Sequence, residues 1–209
     1  VTEMSRLLNS VYKAASVEAL ESYYDSWASD YEREMFDSGL RLPWISAALF
    51  SRVAPDPNIA VIDAACGTGL QGEALALAGY RNLTGVDLST SMLNIAAGKD
   101  IYRSLHHIAI ERMDFDDQSF DACICNGCFT PGHAPSSSMR ELTRVVRVDG
   151  VIVFSIRVDG NLGRSYLEEM ESLLNEGRWM IIFQTRSFFS MPLTEPYMQH
   201  QVFAVKKIK

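Results

Sequence analysis

From residue 59 onward the sequence predicts an α/β fold with a mostly parallel sheet, and three observations carry that expectation. Strand-like and helix-like segments alternate along the chain. The strand segments are apolar on both faces, as a sheet covered by helices on each side requires. The first strand runs directly into a glycine-rich turn, Cys66-Gly67-Thr68-Gly69, the device that opens a helix beside a bound ligand.

Residues 11–42 read as one helix, with Leu20, Tyr24, Trp27 and Tyr31 recurring at helical spacing as a stripe and Tyr23 beside it. Pro43 follows, residues 44–53 form a second helix, and Pro55 and Pro57 punctuate the approach to the first strand. Residues 1–58 are therefore expected as a helical cap and 59–209 as the core. The expected strands are 60–63, 82–87, about 107–112, 120–125 and 151–157. Between them fall helices at 69–77, with Gly79 in the place of a C-cap, 89–97 and 138–146. Ser138-Met139-Arg140-Glu141 has the spacing of a capping box at the third of these. A helix at 162–175 comes next, then two strands at 179–188 and 201–206, joined through Pro192 and Pro196 as an antiparallel pair.

Composition narrows the function. Across 209 residues the net charge is −7, and the lysines and arginines are scattered. That leaves no electrostatic footprint for a phosphate backbone or an anionic membrane. No run approaches the roughly 18 apolar residues of a bilayer span, and the N-terminus lacks signal-peptide order, so a soluble cytoplasmic protein is expected. Cys123, Cys125 and Cys128 superficially resemble ligand spacing. On a strand Cys123 and Cys125 share one face and cannot easily converge with Cys128, so they read as core and no metal is expected. Cys66 near Cys128 is the one pairing that keeps a zinc or redox site open.

Gly67-Thr68-Gly69-Leu70-Gln71-Gly72 satisfies G-x-G-x-x-G, with Asp87 at the expected distance beyond. Two readings compete. A dinucleotide site wants an apolar residue where the first strand ends, because pyrophosphate approaches there, yet Asp63 stands at that place. A carboxylate suits a ligand bearing an ammonium group. Met113-Asp114-Phe115 follows the third strand, offering a carboxylate and an aromatic ring to adenine, and the remainder after Gly150 is short for a second catalytic domain.

Ile62-Asp63-Ala64-Ala65-Cys66-Gly67-Thr68-Gly69, Gly85-Val86-Asp87-Leu88-Ser89, Met113-Asp114, Phe120-Asp121-Ala122 and Glu141-Leu142-Thr143-Arg144-Val145 resemble, in order, the motifs of class I S-adenosylmethionine-dependent methyltransferases. Within that class the chain resembles the methyltransferase-like proteins of the Williams–Beuren syndrome critical region, through Tyr24 to Glu32, Gly132-His133, Ser155 to Arg157 and Gly177-Arg178-Trp179. The resemblance implies a Rossmann-like three-layer sandwich whose seven-stranded sheet has its last strand reversed. It implies S-adenosylmethionine as cofactor and S-adenosylhomocysteine as product. Asp63 and the turn of Ala65, Cys66, Gly67, Thr68 and Gly69 would flank the methionyl part, and Asp87 would take the ribose diol. Leu88 and Met92 would pack near adenine, Asp114 and Phe115 would meet its edge, and Asn126 and Gly127 would floor the sulfonium. Two positions depart from the family pattern. Ala65 replaces a glycine and is expected to keep a negative φ, and Asp149 before Gly150 is expected in a left-handed turn.

For the acceptor side, His133 in the proline-bracketed loop after the fourth strand is the candidate base, against a structural hydrogen bond. Tyr24, Trp27 and Tyr31 are candidates for a lid that excludes water, against plain burial of one helix face. Arg157 could pair with an acceptor carboxylate or phosphate, or with a structural acid, while Tyr166 and Trp179 could form the far wall. A small-molecule acceptor is the first expectation, protein methylation the second and nucleic acid the third. An NAD-dependent oxidoreductase and a non-catalytic cofactor-binding partner protein stand as alternatives. A monomer or weak dimer is expected.

Overall fold

A computed structural model describes residues 16–209. The part of the expected first helix before residue 16 lies outside the described residues. Helix α1 (Val17–Asp37) starts at Ser16, whose hydroxyl accepts the Ala19 amide. Helix α2 (Leu42–Val53) takes Pro43 in its first turn, where a missing N–H leaves nothing unsatisfied. There follow β1 (Val61–Ala64), α3 (Leu70–Leu77), β2 (Leu83–Asp87), α4 (Thr90–Ala97), β3 (Ser104–His107) and β4 (Phe120–Phe129). The chain continues through α5 (Ser138–Val145), β5 (Val146–Arg157), α6 (Arg164–Asn175), β6 (Trp179–Gln184), β7 (Phe188–Met191) and β8 (Glu195–Lys207).

The sheet order is β3-β2-β1-β4-β5-β8-β6, with β7 paired to β8. Strands β1 to β5 run parallel and β8 runs antiparallel to β5, β6 and β7, so the last strand is the reversed one, as expected. Alternation along each strand splits the core into two layers. Ile62, Cys123 and Phe154 pack with Met139, Leu142 and Leu173 of α5 and α6. Val61, Ile124 and Val153 pack with Phe50 and Leu75 of α2 and α3. Helix α2 therefore belongs to the sandwich, and α1 alone lies over the strand ends. The chain leaves β1 toward β2 on one side and lies against β4 on the other, and the crevice at this switch point is where such sheets bind ligands.

Four expectations are corrected. Strand β3 ends at His107 instead of running to about 112, because its four residues are held only by β2, opposite Thr84 to Asp87. His106 and His107 thus lie within it. The expected strand at 179–188 is two strands, interrupted where the Thr185 amide donates to the Val202 carbonyl, and β8 is long enough to pair with three partners. The capping box does not form. Ser137 precedes α5 without a side-chain cap bond, while Glu141 accepts the Met113 amide at 2.6 Å and pairs with Arg144 at 2.8 Å. A distant segment wins the carboxylate that the local motif would have used.

The fourth correction is Ala65, whose φ is +59°, in the left-handed region and not at the negative value expected. Asp149 does adopt φ +65°. Gly150 beside it has no substitute, since a β-carbon there would stand 2.5 Å from the Asp121 carbonyl oxygen.

Candidate cofactor and acceptor site

The turn after β1 is built from left-handed residues, Ala65, Gly67 and Gly69, and is stapled to the end of β2. The Cys66 amide donates to the Val86 carbonyl at 2.9 Å. One Asp87 carboxylate oxygen accepts the Gly67 amide at 2.8 Å and the other accepts the Ser89 amide at 2.9 Å. Burial raises the Asp87 carboxyl pKa against the pull of those amides. A β-carbon on Gly67 or Gly127 would meet no atom within 4 Å, so both backbones border open space.

That space is two adjoining cavities of about 130 Å³ each. Both are far larger than a single water needs. The first is lined by Asp87, Leu88, Met92 and the run from Ile108 to Glu111. The second reaches past Cys66, Thr68 and Gln71 to Trp27, Met191, Met198 and His200. Tyr24, Tyr31, Ala65, Gly67, Asn126, Gly127 and His133 border both. The floor between them is rigid. Asn126 accepts the Ser46 hydroxyl at 3.0 Å and donates to Gln71, and the Gly127 amide donates to Ser155 Oγ at 2.9 Å.

Helix α1 roofs the crevice through polar clamps. Asp25 accepts the Ser89 hydroxyl at 2.6 Å and the Ser91 amide at 2.9 Å, so a carboxylate from α1 sits at the N-terminus of α4. Lys99 pairs with Glu32 at 2.6 Å and also with Glu73. Tyr24 Oη lies 2.6 Å from His133 Nε2, and His133 Nδ1 lies 3.4 Å from the Pro131 carbonyl. A carbonyl only accepts, so Nδ1 carries the proton and Nε2 accepts from Tyr24. Burial depresses the His133 pKa to about 4, keeping the ring neutral.

Of the expected site residues, Tyr24, Trp27, Tyr31, Ala65, Cys66, Gly67, Thr68, Asp87, Leu88, Met92, Asn126, Gly127 and His133 converge on the cavities. Others do not line them. Asp63 is buried beneath the turn, accepts the Tyr102 hydroxyl at 2.6 Å, and is pushed by burial to about 7. Gly69 caps α3 and packs against Tyr102. Asp114 is exposed, and Phe115 packs edge-on against His106 and Phe120. Arg157 makes two 2.8 Å bonds to Asp159, which is the structural-acid alternative. Tyr166 Oη lies 2.8 Å from the Thr130 carbonyl and 3.1 Å from that of Ala134, so it braces the His133 loop from behind. Trp179 donates to Thr143 at 3.0 Å in the core. Sequence reasoning missed Gln71, Thr130, Ser190 and His200. Gln71 had a signal, its place in the first turn after the glycines, and the others had none. All four cysteines are buried free thiols, and no metal-binding group of three His, Cys, Asp or Glu occurs among the described residues. No helix among the described residues is long and apolar enough to cross a membrane.

A carboxylate at the end of β2, a glycine turn and a cavity at the switch point are the features with which α/β proteins of this kind bind nucleosides. Residues 62–154 match the family described as methyltransferase domain. The chain is 29% identical over 165 residues to human methyltransferase-like protein 27, spanning 75% of this chain and 66% of that protein. It is 34% identical over 105 residues to malonyl-[acyl-carrier protein] O-methyltransferase of Pectobacterium atrosepticum, spanning 50% of this chain and 41% of the relative. The chain thus spans two thirds or less of the length of these relatives. The solved Burkholderia thailandensis 1,6-didemethyltoxoflavin-N1-methyltransferase, with bound S-adenosylhomocysteine, shares the fold at a TM-score of 0.68, 18% identity and coverage of 91% and 88%. Residues 62–154 are thus similar to a methyltransferase domain, and the fold is shared with solved S-adenosylmethionine-dependent methyltransferases.

Proposed function

We propose that this protein transfers a methyl group from S-adenosylmethionine to a small-molecule acceptor. The observation that carries this reading is the wall common to both cavities, where the Asn126-Gly127 floor lies under Tyr24, Tyr31 and His133. The cofactor supplies a sulfonium-activated methyl group, and the chain supplies orientation and exclusion of water. Asp87 accepts the ribose diol, and Leu88 and Met92 sandwich adenine against Ile108 and Ile110, with Glu111 rather than Asp114 at the far end. The backbone of Ala65 to Thr68 receives the methionyl part. Gly67 and Gly127 lack β-carbons where one would intrude on that space. Tyr24, Trp27 and Tyr31 shut out water. His133 Nε2 is the group able to take an acceptor proton, once Tyr24 turns away from it. The 1,6-didemethyltoxoflavin of the solved neighbour supports a small-molecule acceptor, while the malonyl group named for the other relative is borne on a carrier protein.

Calorimetric titration with S-adenosylhomocysteine tests the cofactor assignment. Saturable binding is expected, weakened at least tenfold by Asp87→Ala through loss of charged hydrogen bonds worth roughly 1.5–3 kcal/mol. Incubation with methyl-labelled cofactor and a fractionated metabolite extract tests the acceptor class. Label appearing only in macromolecules would sink the small-molecule reading.

A further inference from the structure

We propose that the second cavity receives an uncharged, largely apolar acceptor, and that His200, held by Ser190, is the polar residue that determines its specificity. This deepens the methyl-transfer reading and rests on it.

No Asp, Glu, Lys or Arg lines this cavity among the described residues. Its far side is apolar, with Trp27, Met35, Met191 and Met198 belonging to one buried cluster. A carboxylate or ammonium of an acceptor on that apolar far side, away from the Ala65 to Thr68 turn assigned to the methionyl part, would lose hydration without a counter-charge. Arg157, the cross-strand neighbour of His200, is already engaged by both oxygens of Asp159 and does not line the cavity. Polar atoms are nevertheless left open. Thr68 Oγ1, Gln71 Nε2 and Thr130 Oγ1 are buried with no hydrogen-bond partner, and all three residues border the cavity. Buried groups of this kind normally find partners, so a ligand carrying one or two neutral polar groups fits where a hydrocarbon does not.

His200 completes the set. It is 5% exposed, and its Nδ1 lies 2.9 Å from Ser190 Oγ. If Nδ1 donates to Ser190, Nε2 is left to accept from a hydroxyl or ring N–H of the acceptor; if Ser190 donates to Nδ1, Nε2–H is left to donate to a hydroxyl or carbonyl oxygen. Burial, with Arg157 opposite, lowers the His200 pKa to about 4. The ring therefore reads the acceptor as a neutral hydrogen-bonding group and not as a cation.

The test uses protein saturated with S-adenosylhomocysteine and titrated at pH 7.5 with alkylphenols and indoles, each matched to its carboxylate and amine analogue. Absence of S-adenosylhomocysteine binding overturns the methyl-transfer reading and this inference with it. With the cofactor product bound, neutral probes are expected to bind at least tenfold tighter than their charged analogues. His200→Phe should weaken the best neutral probe at least fivefold without changing S-adenosylhomocysteine affinity, and His200→Gln should restore part of the loss. Should His200→Phe fail to fold, Ser190→Ala carries the same expectation. Equal or tighter binding of carboxylates, no binding by any neutral member, or a preference unmoved by these substitutions would overturn the proposal.

Discussion

Ala65 carries a β-carbon in a left-handed conformation, at φ +59°, on the turn that faces both cavities. An L-residue there is strained by about 1–2 kcal/mol, part of which a glycine would forfeit to its freer unfolded chain. Ala65→Gly is therefore expected to stabilise the protein by about 1 kcal/mol, read as a melting temperature higher by roughly 2–4 °C. An unchanged or lower melting temperature would show that the strain is relieved elsewhere. Asp63 presents the opposite case, a carboxyl whose pKa burial raises to about 7. Because the folded pKa lies above the unfolded one, its stabilising contribution is complete below about pH 4 and is lost as pH rises through 7. Asp63→Asn keeps an oxygen to accept the Tyr102 hydroxyl and removes the charge. The variant should match wild type in thermal stability near pH 4 and exceed it at pH 8. A parallel pH dependence in the two proteins would refute this.

At the scale of elements, α1 is held less by its own helix propensity than by what it touches. Asp25 reaches the N-terminus of α4, Lys99 joins Glu32 to Glu73, and Tyr24 meets His133. Lys99 is largely sheltered and both glutamates only partly exposed, so this pairing is screened less than a surface bridge. Asp25→Ala should loosen α1 by about 1 kcal/mol, since two charge-assisted bonds are lost at a site water can partly refill. Hydrogen exchange should quicken across α1 while β4 and β5 stay protected, and S-adenosylhomocysteine should bind about fivefold more weakly. Equal quickening in the central strands would mean that the contact supports the whole domain, not the lid. The local capping pattern at Ser138 failed for a related reason: Glu141 gains a buried amide at Met113 and a guanidinium at Arg144, stronger partners than its own helix offers.

For the molecule as a whole, ligand linkage gives the most direct check. S-adenosylhomocysteine at a hundredfold excess over its Kd should stabilise the fold by about 2.7 kcal/mol. For a chain of this length that is a rise in melting temperature of roughly 5–10 °C, with NAD giving none. A shift with NAD alone would return the glycine turn to the dinucleotide reading.

The sequence by itself determined the sheet, the reversed last strand and the residues that line the first cavity at the ends of β1 and β2. Gly67, Asp87, Leu88 and Met92 lie close to strand ends, where alternation and a glycine turn fix both position and direction. Which side chains line the second cavity was decided only by tertiary structure. Arg157, Tyr166 and Trp179 are polar-tipped residues in suitable segments, yet each spends its hydrogen bonds on Asp159, on the Thr130 and Ala134 carbonyls, or on Thr143. His200 carries no local mark, and it borders the second cavity because β8 pairs it with Arg157 at the end of β5, where Met191 and Met198 pack against Trp27 and Met35 of α1. A short-range pattern encodes which face of a strand is buried, but the partner that satisfies a buried polar atom comes from a segment far away in the chain.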